Sequence, residues 1–171
     1  MSITSNPGVP PASRARSAIH ALVAGGLSVA LSAAGGMVTR PQLQSWYAQI
    51  EKPWFNPPNW LFAPVWTILF AMMAVAFWRV LQTPRETPGR TAAIVAYLVQ
   101  LALNASWSVA FFGMNSPGAG LVVIGVFLVA IAVTIRLFAA IDRPAAWLLA
   151  PYLAWVSFAT FLNAAIWWIN G

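Results

Sequence analysis

Trp46-Tyr-Ala-Gln-Ile-Glu-Lys-Pro-Trp-Phe-Asn-Pro-Pro-Asn-Trp-Leu-Phe-Ala-Pro-Val-Trp66 lies between two long apolar runs. It sets four Trp, a Tyr and two Phe among four Pro. Each proline holds φ and removes a backbone donor, so no uninterrupted helix runs through the stretch. It reads as a stiff aromatic loop. At the end of a membrane helix such a loop serves either as an interfacial belt, since Trp and Tyr favour the headgroup level, or as a lid over a pocket between helices. Composition alone leaves both open.

The rest of the chain says which solvent the loop meets. Of 171 residues, 60% are hydrophobic and 7% charged, against about 25% charged in an ordinary soluble domain. An integral membrane protein follows, with the lipid bilayer as its first partner. The net charge of +6 comes from basic residues scattered at segment ends, which is a topology signal rather than a nucleic-acid footprint. The absence of cysteine excludes disulfides, iron–sulfur clusters and a thiol nucleophile. His20, the single histidine, has no second His or Cys to share a metal or haem, and reads as an interfacial polar residue.

Outward from the loop, residues 1–17 carry Pro7, Pro10, Pro11, Arg14 and Arg16 without apolar periodicity and predict a disordered tail. Apolar runs predict helices over about 18–38, 61–81, 91–112, 119–140 and 145–169, each near the ~20 residues a bilayer crossing needs. The lid loop is then 39–60. The basic flank of the first run and Ser32-Ala33-Ala34-Gly35-Gly36 also resemble a cleavable signal peptide. Against cleavage, Ala24, Ser28, Ser32 and Gly36 recur every four residues, as do Gly26, Ala30 and Ala34, a small-residue face suited to a close helical neighbour. Arg79 is placed to snorkel at the end of the second span, and Pro151 should kink the fifth. The expected fold is an all-α integral membrane bundle of five transmembrane helices, one domain over 18–171, with the aromatic loop closing a pocket.

Arg14, Arg16, Arg79, Arg85, Arg90, Arg136 and Arg143 fall on one side of such a bundle, and Arg40 and Lys52 on the other. In a cytoplasmic membrane this bias puts the N-terminus inside and the aromatic loop outside. Glu51, Glu86 and Asp142 all lie in loops, so a proton relay or ion-coupled pump lacks its usual intramembrane acids. Metal and Ser/His/acid sites likewise lack their parts. What the spans do carry is aromatic. Phe62, Trp66, Phe70, Met73 and Phe77 recur along the second; Gln100, Asn104, Trp107, Ser108 and Phe111 share a region of the third; Tyr152, Trp155, Phe158, Ala159 and Asn163 share one on the fifth. These faces either pack together, with the amides as interhelical hydrogen bonds, or surround a flat hydrophobic ligand.

Several stretches resemble the translocator proteins, also called tryptophan-rich sensory proteins or peripheral-type benzodiazepine receptors. They are Trp-Tyr and Lys-Pro within 46–53, Asn-Pro-Pro-Asn-Trp at 56–60, Pro-Val-Trp at 64–66, Gln-Leu-Ala-Leu-Asn at 100–104, Phe-Phe-Gly at 111–113, and Pro-Tyr-Leu-Ala-Trp-Val-Ser-Phe-Ala-Thr-Phe-Leu-Asn at 151–163. The resemblance implies a five-helix bundle, commonly dimeric, whose pocket takes porphyrins, haem-pathway intermediates, sterols, isoquinolines or benzodiazepines. It requires no cofactor, with porphyrin or haem as ligand. Carried over by motif, Tyr47 and Pro57 form the lid, Phe62 and Trp66 the second-helix wall, Gln100 and Asn104 the third-helix polar contacts, and Trp155 and Ala159 the fifth-helix wall. Two departures stand out. Trp54-Phe55 replaces a Ser-Trp of some relatives, and no basic residue follows Tyr152 as a C-terminal sterol motif requires.

The leading expectation is a receptor or translocator of tetrapyrroles. One alternative is light-dependent porphyrin breakdown, with Trp66 and Trp155 as reactive partners; another is a regulatory membrane scaffold. For a homodimer, Ala92 and Ala96 form a small-xxx-small pair on the third helix.

Overall fold

A computed structural model describes residues 14–171, and every regular element among them is helical. Helix α1 spans Arg14–Gln44, the short α2 Trp46–Gln49, α3 Asn59–Gln82, and α4 Arg90–Ser108 with a π-helical continuation over Val109–Gly113. Helix α5 spans Pro117–Ile141, the short α6 Arg143–Leu148, and α7 Ala150–Asn170. Five of the resulting rods, α6 and α7 counting as one, are apolar and 24 to 30 residues long, more than the ~20 a bilayer requires. The chain is a five-helix integral membrane bundle.

Side-chain size decides who neighbours whom. The expected small face of α1 is used at its N-terminal half: Ala24 and Ser28 are buried, with Ser28 Oγ donating to Ala24 O at 3.1 Å. Helix α1 packs on α3 and α4, α3 reaches the α6–α7 rod, and α5 lies between that rod and α4, which closes the ring. Two apolar clusters fill it. In the larger, Phe77 stacks on Tyr97 at 4.2 Å, Tyr97 lies 5.9 Å from Phe138, and the Tyr97 hydroxyl donates to Met73 O at 3.3 Å. The smaller gathers Tyr47, Phe111, Phe112, Leu162 and Ile166 under the aromatic loop.

Three sequence expectations are corrected. The tail expected over 1–17 ends sooner, since Arg14–Ser17 are already helical; residues 1–13 lie outside the described residues. At that end Trp78 Nε1 donates to Ser17 O at 3.3 Å, Gln82 Nε2 to Ser17 Oγ, and His20 Nδ1 meets Gln82 Oε1 at 2.7 Å, so α3 clamps α1. The lid expected over 39–60 begins later, because α1 continues through Pro41 to Gln44. Hydropathy drops at Thr39-Arg40-Pro41-Gln42, but Val38, Leu43 and Trp46 pack against the smaller cluster and carry the helix onward. Pro151 does not kink a continuous helix. The rod breaks at Leu149, and Pro151 sits in the first turn of α7, where its missing donor is harmless. Arg79 sits at the end of its span with its side chain 36% exposed, and it is tied there to Asp142. Its Nη2 lies 3.0 Å from Asp142 Oδ2, and Asp142 Oδ1 also accepts from Ala145 N at 3.1 Å, so one carboxylate both pairs α3 and caps α6.

Candidate ligand cavity beneath the aromatic loop

The loop's prolines leave backbone groups that side chains then satisfy, and this shapes the lid. Helix α2 presents Tyr47 inward, 3% exposed. Its hydroxyl donates to Asn56 Oδ1 at 2.8 Å, Asn56 Nδ2 donates to Pro57 O at 3.1 Å, and Lys52 Nζ lies 5.0 Å from the Tyr47 ring centroid. Burial pushes the Tyr47 phenol from 10.0 up to about 12, with the Asn56 bond opposing it, so the group is a neutral donor near neutral pH. Trp46 meets Phe111 edge-on at 5.6 Å, and Tyr47 lies 5.6 Å from Phe112. The far side of the loop is clasped by Asn170: Glu51 N donates to its Oδ1 and its Nδ2 to Glu51 O, both at 3.0 Å.

The two apolar clusters do not close completely on each other, and between them lies a cavity of about 210 Å³. Tyr47, Phe62, Trp66, Asn104, Trp155 and Ala159, six of the eight residues named from sequence, line it. Phe62 and Trp155 meet at 5.9 Å near perpendicular, and Trp66 sits 5.4 Å from Phe70. Pro57 and Gln100 are not in the wall. Pro57 acts within the loop, through its carbonyl. Gln100, 1% exposed, is held behind the wall by a chain of hydrogen bonds: Asn104 Nδ2 donates to the Tyr152 hydroxyl at 3.0 Å, which donates to Gln100 Oε1 at 2.8 Å. Gln100 Nε2 is left buried without a partner. With Nδ2 so engaged, Oδ1 is the atom Asn104 offers a ligand.

Two further parts of the wall lie beyond the eight residues assigned to it by motif, although Trp107 and Ser108 were already marked by their spacing from Asn104. Trp107, Ser108 and Phe112 continue the Asn104 face at three, four and eight residues onward, a spacing that marks one helical face. Trp107 is held by its Nε1 donating to Asn163 Oδ1 at 3.1 Å, while Asn163 Nδ2 donates to Pro117 O at 2.7 Å. The other part is α1, through Leu31, Ser32, Gly35, Gly36, Thr39, Arg40 and Leu43. Ser32 and Gly36 belong to the four-residue small spacing, and there α1 and α3 leave a gap between them.

On the outer side of this gap is a second, open groove of about 830 Å³, and it shares Ser32, Gly36, Arg40 and Phe70 with the inner cavity. Among the described lining residues of either space, Arg40 alone is charged. The arrangement suits a flat apolar ligand with a few polar atoms, and it offers no acid–base pair. Ala92 is exposed and Ala96 half-buried, beside the inward Ala93 and Tyr97 and away from the cavity.

A family described as TspO/MBR matches residues 23–169. The chain is 47% identical over 146 residues to the tryptophan-rich protein TspO of Chlorobaculum tepidum, covering 85% of this chain and 92% of that one. It is 41% identical over 150 residues to the tryptophan-rich protein TspO of Archaeoglobus fulgidus, covering 87% and 96%. To the translocator protein of Bos taurus it is 36% identical over 140 residues, covering 80% and 81%.

Proposed function

This chain belongs to the TspO/MBR family, and from that premise we propose that it is a membrane receptor or translocator whose cavity under the aromatic loop takes tetrapyrroles and other flat hydrophobic ligands. The observation that carries the reading is the wall itself. Rings from three helices, Phe62 and Trp66 on α3, Trp107 on α4 and Trp155 on α7, surround one space, and Tyr47 covers it. Aromatic faces stack on a planar conjugated ring, while Asn104 Oδ1 accepts from a pyrrole-type N–H. The name of the bovine relative, translocator protein, supports a reading in which the ligand is moved. The basic bias of the loops supports an N-terminus on the cytoplasmic side, and the outward Ala92 and Ala96 support a homodimer through α4.

The test is titration of protoporphyrin into the detergent-purified protein in the dark, followed by tryptophan quenching. Saturable quenching is expected, weakened in Trp66→Phe and Trp155→Phe. Unchanged affinity in both variants would show that the ligand binds elsewhere. Illuminating the same samples separates a receptor from the light-dependent enzyme, which would yield a new absorbing product only in light and oxygen.

A further inference from the structure

The inner cavity is small for the ligand class it is assigned. Sites for drug-sized molecules run about 300–1,000 Å³, and 210 Å³ falls short of that. The lid does not supply the missing room, since Tyr47 is bonded to Asn56 and Asn170 clasps Glu51. The α1–α3 seam does, because the cavity continues there into the outer groove of about 830 Å³. A ligand larger than the cavity emerges through this seam, and Arg40 stands where it emerges.

The arginine is set for a ligand rather than for the fold. Its side chain folds back along α1, with Nε 3.7 Å from where a Cβ on Gly36 would stand, which keeps the guanidinium over the seam. Arg40 has no hydrogen-bond or ion-pair partner among the described residues. Asp142 is taken by Arg79, and the Glu51 backbone is held by Asn170. A delocalised cation beside an apolar slot recognises a carboxylate, through paired N–H donors in a plane.

We propose that Arg40 is a specificity-determining residue that binds the carboxylate edge of an anionic amphiphile whose apolar body enters the cavity sideways through the α1–α3 seam. This rests on the cavity being the ligand site. It makes the preferred ligand an acid rather than a neutral hydrophobe, and it makes the bilayer face of α1–α3 its path.

The experiment compares protoporphyrin with its dimethyl ester, using the full chain in phosphatidylcholine nanodiscs. Wild type is expected to bind the acid roughly tenfold more tightly than the ester, the scale of one charge-assisted contact at a partly exposed site. Arg40→Gln should bring the two ligands within about twofold by weakening the acid alone, and Arg40→Lys should keep part of the preference. An SDS unfolding midpoint like that of wild type shows that the variant is folded. If neither ligand saturates in wild type, the tetrapyrrole reading fails and this inference with it. If both saturate without preference, or with a preference that survives Arg40→Gln, the cavity reading stands and the role of Arg40 is refuted. A preference abolished in wild type by adding phosphatidylglycerol would assign the guanidinium to lipid phosphate. A change of oligomeric state in Arg40→Gln, with no loss of preference, would assign the groove to a second copy.

Discussion

Tyr152→Phe removes one oxygen atom and breaks two links of the chain that runs from Asn104 through Tyr152 to Gln100. The hydroxyl accepts from Asn104 Nδ2 at 3.0 Å and donates to Gln100 Oε1 at 2.8 Å, and Tyr152 is 1% exposed, so no water replaces it. Hydrogen bonds in membrane-embedded interiors average about 0.6 kcal/mol each, which sets the lower end near 1 kcal/mol for the pair. Orphaning a buried group costs about 1–3 kcal/mol. Because Gln100 Nε2 already lacks a partner, the variant leaves that amide with neither end satisfied. The expected loss is about 1–3 kcal/mol, a five- to 150-fold fall in the folding equilibrium at 1.4 kcal/mol per tenfold.

Tryptophan fluorescence during SDS titration of detergent micelles measures it, for Tyr152→Phe, Asn104→Leu and the double variant. The two losses should not add: once Asn104 is apolar, removing the hydroxyl breaks only the Gln100 bond. A Tyr152→Phe variant within about 0.3 kcal/mol of wild type, or strictly additive losses, would refute the linkage. The same change frees Asn104 Nδ2 toward the cavity. Ligands bearing an acceptor should therefore gain relative to those without one.

Gly120→Ala should cost about 1–3 kcal/mol as an overpacked contact. The new Cβ would lie 2.9 Å from Asn163 Oδ1 and 3.1 Å from Phe111 Cβ, the second being too close to the backbone to swing away; an unchanged SDS midpoint would show that α5 can retreat. Tyr47 makes stability fall in alkali. The unfolded phenol ionises near 10.0 and the folded one near about 12, so between those values the unfolded state holds fewer protons and the Tyr47 contribution, up to about 3 kcal/mol for two units, is lost as pH rises. The midpoint difference between wild type and Tyr47→Phe should be constant below pH 10 and shrink above it; a flat difference to pH 12 contradicts the burial of the hydroxyl.

The sequence by itself determined the five rods, the membrane setting and most of the aromatic wall, because hydropathy and helical spacing are local properties. Phe62 and Trp66, or Trp155 and Ala159, share a face once their segments are helical, whatever the segments pack against. The extent of α1 was not legible. Its passage through Pro41 depends on Val38 and Leu43 finding the cluster under the loop, a contact with residues far along the chain. Gln100 looked equivalent to Asn104, four residues away on the same helix. Only the position of the Tyr152 hydroxyl, 52 residues later, turned one amide to a buried chain and left the other on the cavity wall. The seam and Arg40 were hidden for the same reason: spacing marks a small-residue face on α1, but whether a position on it is buried, as at Ala24, or opens onto a gap, as at Ser32 and Gly36, is decided by how the helices cross.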